Sequence, residues 1–132
     1  MTGPLTTADE AASYAEFDAI AAPLQRYIDG ARAGDTALLR SAFLDGADIR
    51  GSYGGKPVDW TLQAFCDLIE KHGPAADLTA RIVTIEWQGT AAMARLEALN
   101  WRGTRYTDFF VLRKIDGDWR ISSKVFFAHA RA

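Results

Sequence analysis

The first half of the chain places apolar residues three and four positions apart, which is the spacing of one face of an α-helix. One such stripe covers residues 17–33 and contains Pro23, which predicts a bend there or a helix that starts just before it. A second helix is predicted after Asp35, a residue type that caps helices, and it ends at Asp45-Gly46. A third is predicted over residues 61–72, and a short extended piece at about residues 47–53, followed by the Gly54-Gly55 turn, is predicted between the second helix and the third.

From residue 78 onward the apolar positions alternate with a period of two, which is typical of strands with one buried face. Asp116-Gly117 separates two alternating segments and predicts a type I′ hairpin turn. Four strands are predicted, within residues 81–87, 91–101, 106–115 and 119–127. Helices followed by hairpin-linked strands predict an α+β fold, with an antiparallel meander over residues 78–128 and the helices on one face of it.

Composition fits a single globular domain. The chain has 132 residues, of which 48% are hydrophobic and 24% are charged. Residues 1–12 are small and polar and are interpreted as a loose lead-in, so the domain is expected to span residues 13–132. The formal charge of −2 comes without a basic cluster, which argues against a nucleic acid partner. One cysteine, Cys66, and two histidines provide no disulfide and no zinc-type ligand set.

The sequence also lacks motifs for cofactors and for membranes. It contains no Gly-rich phosphate loop, nucleophile elbow or metal motif, so we expect no cofactor and no metal. No apolar run approaches the length that crosses a bilayer, and residues 1–10 do not resemble a secretion signal. These observations predict a cytoplasmic protein with no membrane partner.

Several longer stretches carry a family resemblance. The most distinctive is Lys114-Ile115-Asp116-Gly117-Asp118-Trp119-Arg120-Ile121 followed by Lys124-Val125-Phe126. The others are Arg26-Tyr27-Ile28, Ala33-Gly34-Asp35, Ala42-Phe43, Ala47-Asp48, Phe65, Ala80-Arg81-Ile82-Val83 and Tyr106-Thr107-Asp108-Phe109-Phe110. Together, over about residues 15–128, they resemble the nuclear transport factor two-like superfamily of ketosteroid isomerases, scytalone dehydratase and polyketide cyclases. Within it, the chain most resembles the bacterial lumazine-binding-like proteins.

The resemblance implies both an architecture and an assembly. The architecture is a cone-shaped, strongly bent antiparallel sheet wrapped around three N-terminal helices, a cystatin-like α+β barrel whose mouth opens into an apolar pocket. Members commonly form homodimers through the outer face of the sheet. By alternation Phe109, Val111 and Phe126 are predicted on that face, which makes it more apolar than a solvated face, and we therefore expect a homodimer.

Tyr27 and Asp108 are the candidate catalytic residues. The tyrosine of the isomerases donates a hydrogen bond to a dienolate oxygen in a similar Gln-Arg-Tyr context, and an aspartate kept neutral stands at the position of Asp108. The resemblance therefore implies an oxyanion hole formed by both. The residues alone also allow a core tyrosine bonded to one backbone partner, and an aspartate that pairs with an arginine or a backbone donor.

Five further residues are candidates for contact with a ligand. Tyr53 precedes the Gly54-Gly55 loop and could form a lid at the pocket mouth together with Trp60. The other three are placed on inward strand faces by alternation, namely Asn100, Tyr106 and Phe110. The alternatives are a surface loop with Trp60 packed under the third helix, and small strand residues that serve helix packing.

The resemblance to the isomerases fails at their general base. Counting from Phe43 and Ala47, the position of that aspartate is occupied by Gly51, which cannot accept a proton. Three functions therefore remain open. The first is a small-molecule-binding protein with an apolar pocket for a flat or aromatic ligand. The second is a cofactor-independent isomerase, dehydratase or cyclase that uses Tyr27 and Asp108, and the third is a non-catalytic dimeric assembly module.

Overall fold

The computed structural model describes residues 7–130 and contains three helices and six strands. The number of helices is as predicted, and two strands are added to the four predicted ones, one of which contains the extended piece predicted at about residues 47–53. In chain order the elements are α1 (Thr7–Ala33), α2 (Thr36–Ser41), β1 (Phe43–Tyr53), β2 (Lys56–Thr61), α3 (Leu62–His72), β3 (Thr79–Gln88), β4 (Ala91–Trp101), β5 (Thr104–Ile115) and β6 (Asp118–Ala128).

Helix α1 starts ten residues before the predicted stripe, at Thr7, and continues through Pro23. Residues 8–12 are helical but exposed, and residues 1–6 of the predicted lead-in lie outside the described residues. The predicted apolar stripe is buried against the sheet from Ile20 onward, whereas Phe17 at its start is 41% exposed. Helix α2 begins as predicted, because the Asp35 side chain accepts a hydrogen bond from the Leu38 amide at 3.0 Å.

The six strands form one sheet in the order β2-β1-β6-β5-β4-β3. The predicted meander of β3 to β6 is present, and Asp116 and Gly117 both have positive φ, 51° and 84°, as a type I′ turn requires. The structure adds the hairpin of β1 and β2, so the predicted loop around Lys56–Trp60 is a strand. It also adds a parallel pairing between β1 and β6. The sheet does not close on itself, because β2 and β3 are its two edges.

Two β-bulges decide which side chains face the interior. In β6, Ile121 pairs with Leu112 and Ser123 pairs with Val111, so Ser122 is an extra residue. Beyond that bulge Lys124 and Phe126 point inward, whereas uninterrupted alternation from Ile121 would point them outward. The prediction that Phe126 lies on the outer face is therefore wrong, since this side chain is only 4% exposed.

The second bulge lies near the end of β4. Leu99 and Asn100 together oppose the single residue Arg105, and Asn100 has a φ of 58°. As a result Asn100 is exposed, and Trp101 turns toward the interior in its place. Within the described part of the chain, no helix combines the length and the apolar character needed to span a bilayer.

Candidate functional site

A cavity of about 440 Å³ lies between α3 and the sheet. This volume is typical of pockets that hold small organic molecules. It opens beside Tyr53 and His72, both of which are exposed. Its lining is mainly aromatic and aliphatic and consists of Tyr53, Val58, Trp60, Phe65, Leu68, Ile69, His72, Gly73, Trp101, Arg102, Thr104, Tyr106, Lys124 and Phe126.

Aromatic rings form the walls of this cavity and hold one another in place. Trp60 stacks on Phe65 and on Phe126, with ring planes 20° apart and centroids separated by 6.1 and 5.7 Å. Tyr106 packs edge-on against Phe126 and Trp101 at 5.8 and 5.6 Å. Such ring pairs are favourable beyond the area they bury, and they present rigid flat surfaces. The walls therefore suit a flat ligand.

Lys124 is the polar exception among these rings. The residue is 3% exposed, and its side chain reaches the cavity from β6. The amine Nζ lies 4.6 Å from the ring centroid of Phe65, 5.0 Å from that of Phe126 and 5.3 Å from that of Trp101. Nζ donates a hydrogen bond of 2.6 Å to the hydroxyl of Tyr27. A lysine this deeply buried is rare in proteins unless it is paired.

Tyr27 and Asp108 lie on the far side of Lys124, away from the cavity. The Tyr27 hydroxyl donates to Asp108 Oδ2 at 3.3 Å, and Lys124 Nζ is 3.9 Å from the same oxygen. The structure thus brings together the two predicted catalytic residues, within one buried hydrogen-bonded row that ends at Lys124. Asp108 is completely buried, and its Oδ1 has no hydrogen-bond partner among the described residues.

Burial shifts the proton equilibria of all three groups toward their uncharged forms. Loss of water around the carboxyl raises the pKa of Asp108, although the neighbouring Lys124 and the hydrogen bond from Tyr27 act in the opposite direction. Loss of water around the amine lowers the pKa of Lys124, and Asp108 opposes that change. Burial, followed by the nearby Asp108, raises the pKa of Tyr27. The row can therefore hold or release protons over a different pH range from exposed groups.

The predicted ligand contacts divide into two groups. Tyr53, Trp60 and Tyr106 line the cavity. Phe110 is buried in the core and packs edge-on against Tyr27 with centroids 5.3 Å apart, but it does not line the cavity. Asn100 was predicted to face inward, but the bulge in β4 leaves it exposed. Trp101 faces the cavity in its place.

Gly51 has no room for any side chain. A Cβ atom built there would lie 2.3 Å from the carbonyl oxygen of Phe126 and 2.6 Å from its ring. Gly51 pairs directly with Phe126 across β1 and β6. Absence of a side chain at Gly51 therefore allows the Phe126 ring to lie flat against β1 and complete the cavity wall beside Lys124.

Sequence reasoning missed Lys124 because strict alternation places it on the outer face. Ser122 and Ser123, two adjacent small polar residues inside an otherwise alternating strand, are the available signal for a bulge. A register shift of one residue there reverses every later side chain of β6. The residue that joins the predicted pair to the cavity could therefore be found only by placing the bulge.

A second depression of about 430 Å³ lies on the other side of Trp60. Three of its charged residues bind one another: Arg50 lies 3.3 Å from Asp48 and 3.4 Å from Asp59. Across residues 7–130 there is no group of three or more His, Cys, Asp or Glu side chains arranged to hold a metal ion. The aromatic cavity is therefore the better candidate site.

Comparison with protein families agrees with this architecture. The model of the family described as "Putative lumazine-binding" matches residues 15–127. The chain belongs to this family. A curated relative, the aldolase FrzH of Cladobotryum, is 27% identical over 117 residues, which cover 88% of this chain and 94% of that protein.

Solved structures of this family's fold are also similar to the chain. An NTF2-like protein of Methylobacillus flagellatus is 34% identical, with a TM-score of 0.82 over 98% of this chain and 99% of the other. An NTF2-like protein of Shewanella baltica is 32% identical, with a TM-score of 0.84 over 96% and 99%. A ketosteroid isomerase-like protein of Erwinia carotovora shares the fold at 16% identity, with a TM-score of 0.67 over 87% and 97%. The nuclear transport factor two-like α+β fold is thereby confirmed.

Proposed function

We propose that this lumazine-binding family member binds a flat small molecule in the aromatic cavity, with a hydrogen-bond acceptor of the ligand directed at Lys124. This proposal rests on one observation, a buried amine surrounded by aromatic rings in a mainly aromatic and aliphatic cavity. A ligand that brings a carbonyl or other acceptor to Nζ gives the amine a second hydrogen bond, while its flat body stacks on Trp60 or Phe126. Tyr27 and Asp108 then act behind Lys124 and hold it in position.

The test is saturable binding, followed by quenching of tryptophan fluorescence, since Trp60 and Trp101 both line the cavity. The two probes are lumazine and 2-acetonaphthone, a flat aromatic ketone. We expect Lys124→Met to weaken binding of the better probe by about 1–3 kcal/mol, because a buried acceptor loses its donor. Lys114→Met is the matched control and leaves the affinity unchanged. Absence of saturable binding of both probes, or equal effects of the two variants, would refute the proposal.

A second candidate is a cofactor-independent enzyme that acts on a carbonyl compound. It is favoured by the hydrogen-bonded row Lys124–Tyr27–Asp108, which places proton-carrying groups next to a cavity. The name aldolase given to the Cladobotryum relative supports carbonyl chemistry of this kind. Isomerisation by an aspartate base on β1 is disfavoured, since Gly51 cannot accommodate a side chain. Conversion of a carbonyl substrate that depends on Lys124 but not on Lys114 would establish this function.

We propose that the predicted homodimer forms through the outer face of the sheet. Its apolar contact residues no longer include Phe126, which faces the interior. Phe109 pairs with Val125 and Val111 pairs with Met93 across neighbouring strands, so the apolar positions are contiguous. Each of these side chains is between 44% and 51% exposed. Sedimentation at micromolar concentration should give a species of twice 14.5 kDa, which Phe109→Asp converts to the single chain. A single chain before mutation would exclude this dimer.

The third function, a pure assembly module, is less well supported than binding. A module that only assembles has no use for an open cavity of about 440 Å³ with a buried amine in it.

The expected cytoplasmic location remains a prediction.

A further inference from the structure

We propose that Lys124 Nζ is a nucleophile that condenses with a flat ketone or aldehyde in the aromatic cavity to form a Schiff base. This inference rests on the proposed function, because the carbonyl compound must first bind in the same cavity. The buried polar side chains among residues 8–130 are Thr104, Thr107, Asp108 and Lys124, and only the last carries an amine. Lys124 also lines the cavity, so its nitrogen lies where a bound carbonyl carbon would be placed.

The hydrogen bonding of Lys124 is incomplete for a purely structural amine. An ammonium group has three donors, and the described residues provide one hydrogen bond, to Tyr27. The carboxylate that would normally bind a buried cation directly is 3.9 Å away, and its Oδ1 has no partner among the described residues. The remaining neighbours of Nζ are ring faces and the cavity. The amine is therefore accessible for a bond to carbon from the cavity side.

Condensation needs the free base, since the nitrogen lone pair attacks the carbonyl carbon. The apolar rings around Nζ exclude water, and this burial lowers the pKa of Lys124. At a given pH the amine consequently contains more free base than the amine of an exposed lysine. The same burial raises the pKa of Asp108 and favours its acid form, which can supply a proton.

The step balances without an additional reagent. The nitrogen lone pair forms the C–N bond while the carbonyl π electrons move to oxygen, and one proton passes from nitrogen to that oxygen. The Asp108 acid supplies a second proton through the Tyr27 hydroxyl, which bonds both Asp108 and Lys124, to the nitrogen, and the nitrogen passes one proton on to the hydroxyl group of the carbinolamine. The carbinolamine C–O bond then breaks, water leaves, and an iminium cation remains opposite the Asp108 carboxylate. An iminium acidifies the adjacent carbon, which is the property that aldol chemistry requires.

The test traps the Schiff base on the full chain. The protein is incubated with 2-acetonaphthone and sodium cyanoborohydride, which reduces an iminium to a stable amine, and the adduct is located by intact mass and peptide mapping. We expect one adduct per chain on Lys124, formed at least tenfold faster than on Lys56, Lys71 or Lys114. Lys124→Arg retains a cation that does not condense and abolishes this adduct, whereas Lys114→Arg retains it. Circular dichroism checks that both variants are folded.

Binding of the same ketone without reductant separates the two proposals. Saturable quenching of tryptophan fluorescence without an adduct on Lys124 would overturn the Schiff base and leave the binding function intact. Absence of both quenching and adduct would overturn both. An adduct that forms at the same rate in Lys124→Arg would also overturn the assignment, because it must then lie on another amine.

Discussion

Two lysines of the sheet, Lys114 on β5 and Lys124 on β6, have similar partners in very different surroundings. Lys114 Nζ lies 3.1 Å from Glu16, and both side chains remain accessible, at 33% and 28%. Lys124 Nζ lies 3.9 Å from Asp108, and the two side chains are 4% and 0% accessible. Each carboxylate also accepts a hydrogen bond from an aromatic side chain, Glu16 from Trp119 and Asp108 from Tyr27.

The two carboxylates respond in opposite directions. The hydrogen bond from Trp119, together with that from Lys114, lowers the pKa of Glu16. Burial raises the pKa of Asp108 even though it also has a lysine and an aromatic donor beside it. The comparison indicates that exclusion of water, rather than the identity of the partners, shifts the pKa of Asp108 in the opposite direction from that of Glu16.

The largest expected difference is in stability. Asp108→Leu removes the acceptor of Tyr27 and the carboxyl group beside Lys124, and we expect a loss of about 3 kcal/mol in the free energy of unfolding. Glu16→Leu removes a partly exposed partner and should cost less than about 1 kcal/mol. Urea denaturation measures both. The triple variant Tyr27→Phe/Asp108→Leu/Lys124→Met should recover most of the loss, since it replaces all three buried polar groups by apolar ones. Similar losses for Asp108→Leu and Glu16→Leu would remove the distinction between the two sites.

A second stability test concerns the wall beside Lys124. Gly51→Ala places a methyl group against the carbonyl and ring of Phe126, atoms that cannot move without disturbing the pairing of β1 and β6. We expect a cost of about 2 kcal/mol and weaker binding of 2-acetonaphthone, because the Phe126 ring is displaced. Ser52→Ala, at the next position of β1, is the control. An unchanged urea midpoint for Gly51→Ala would show that this wall is not tightly packed.

The pH dependence of stability should distinguish Lys124 from a surface lysine. The pKa of a lysine amine in the unfolded chain is about 10.4. In the folded chain burial lowers the pKa of Lys124. Between the two values the unfolded chain holds a proton that the folded chain has lost, so the stability of the protein rises with pH in that window. Relative to Lys124→Met, the protein should gain stability as the pH is raised toward 10. A constant difference between the two from pH 7 to 10 would contradict the lowered pKa.

The smallest effect is expected at Glu16. Its pKa is lower in the folded chain than the ordinary value of 4.5, so its contribution to stability is present above that pH and is lost as the pH falls through the folded pKa. Glu16→Gln should therefore reduce stability slightly at pH 6 and make no difference at pH 2.5 in urea titrations. A constant deficit across this range would mean that Glu16 acts through packing alone.

The predictability of β5 and β6 from sequence differs for a physical reason. Tyr106, Asp108 and Phe110 follow strict alternation, and their predicted inward side is confirmed. In β6 one extra residue, Ser122, reverses the side chains that follow, and the energetic preference for this bulge depends on contacts with other elements. The local sequence pattern of β6 carries no information about those contacts.

The same distinction applies to the helices and to the cavity. The stripe in α1 and the Asp35 cap depend on neighbouring residues and could be predicted. The parallel pairing of β1 with β6 joins segments about 75 residues apart, as in the pair Gly51 and Phe126. The contact between Tyr27 and Asp108, which are 81 residues apart, was predicted from the family resemblance. The position of Lys124 between this pair and the cavity was not predicted.

The most direct test of the central claim is a titration of Lys124 itself. The chain has four lysines, so ¹³C labelling of the lysine side chains gives few NMR signals, and the Lys124 signal is the one missing from Lys124→Arg. The account predicts that this signal titrates below the value of an exposed lysine, about 10.4, and that it shifts when 2-acetonaphthone binds. A Lys124 signal that titrates near 10.4 and does not respond to the ketone would contradict it.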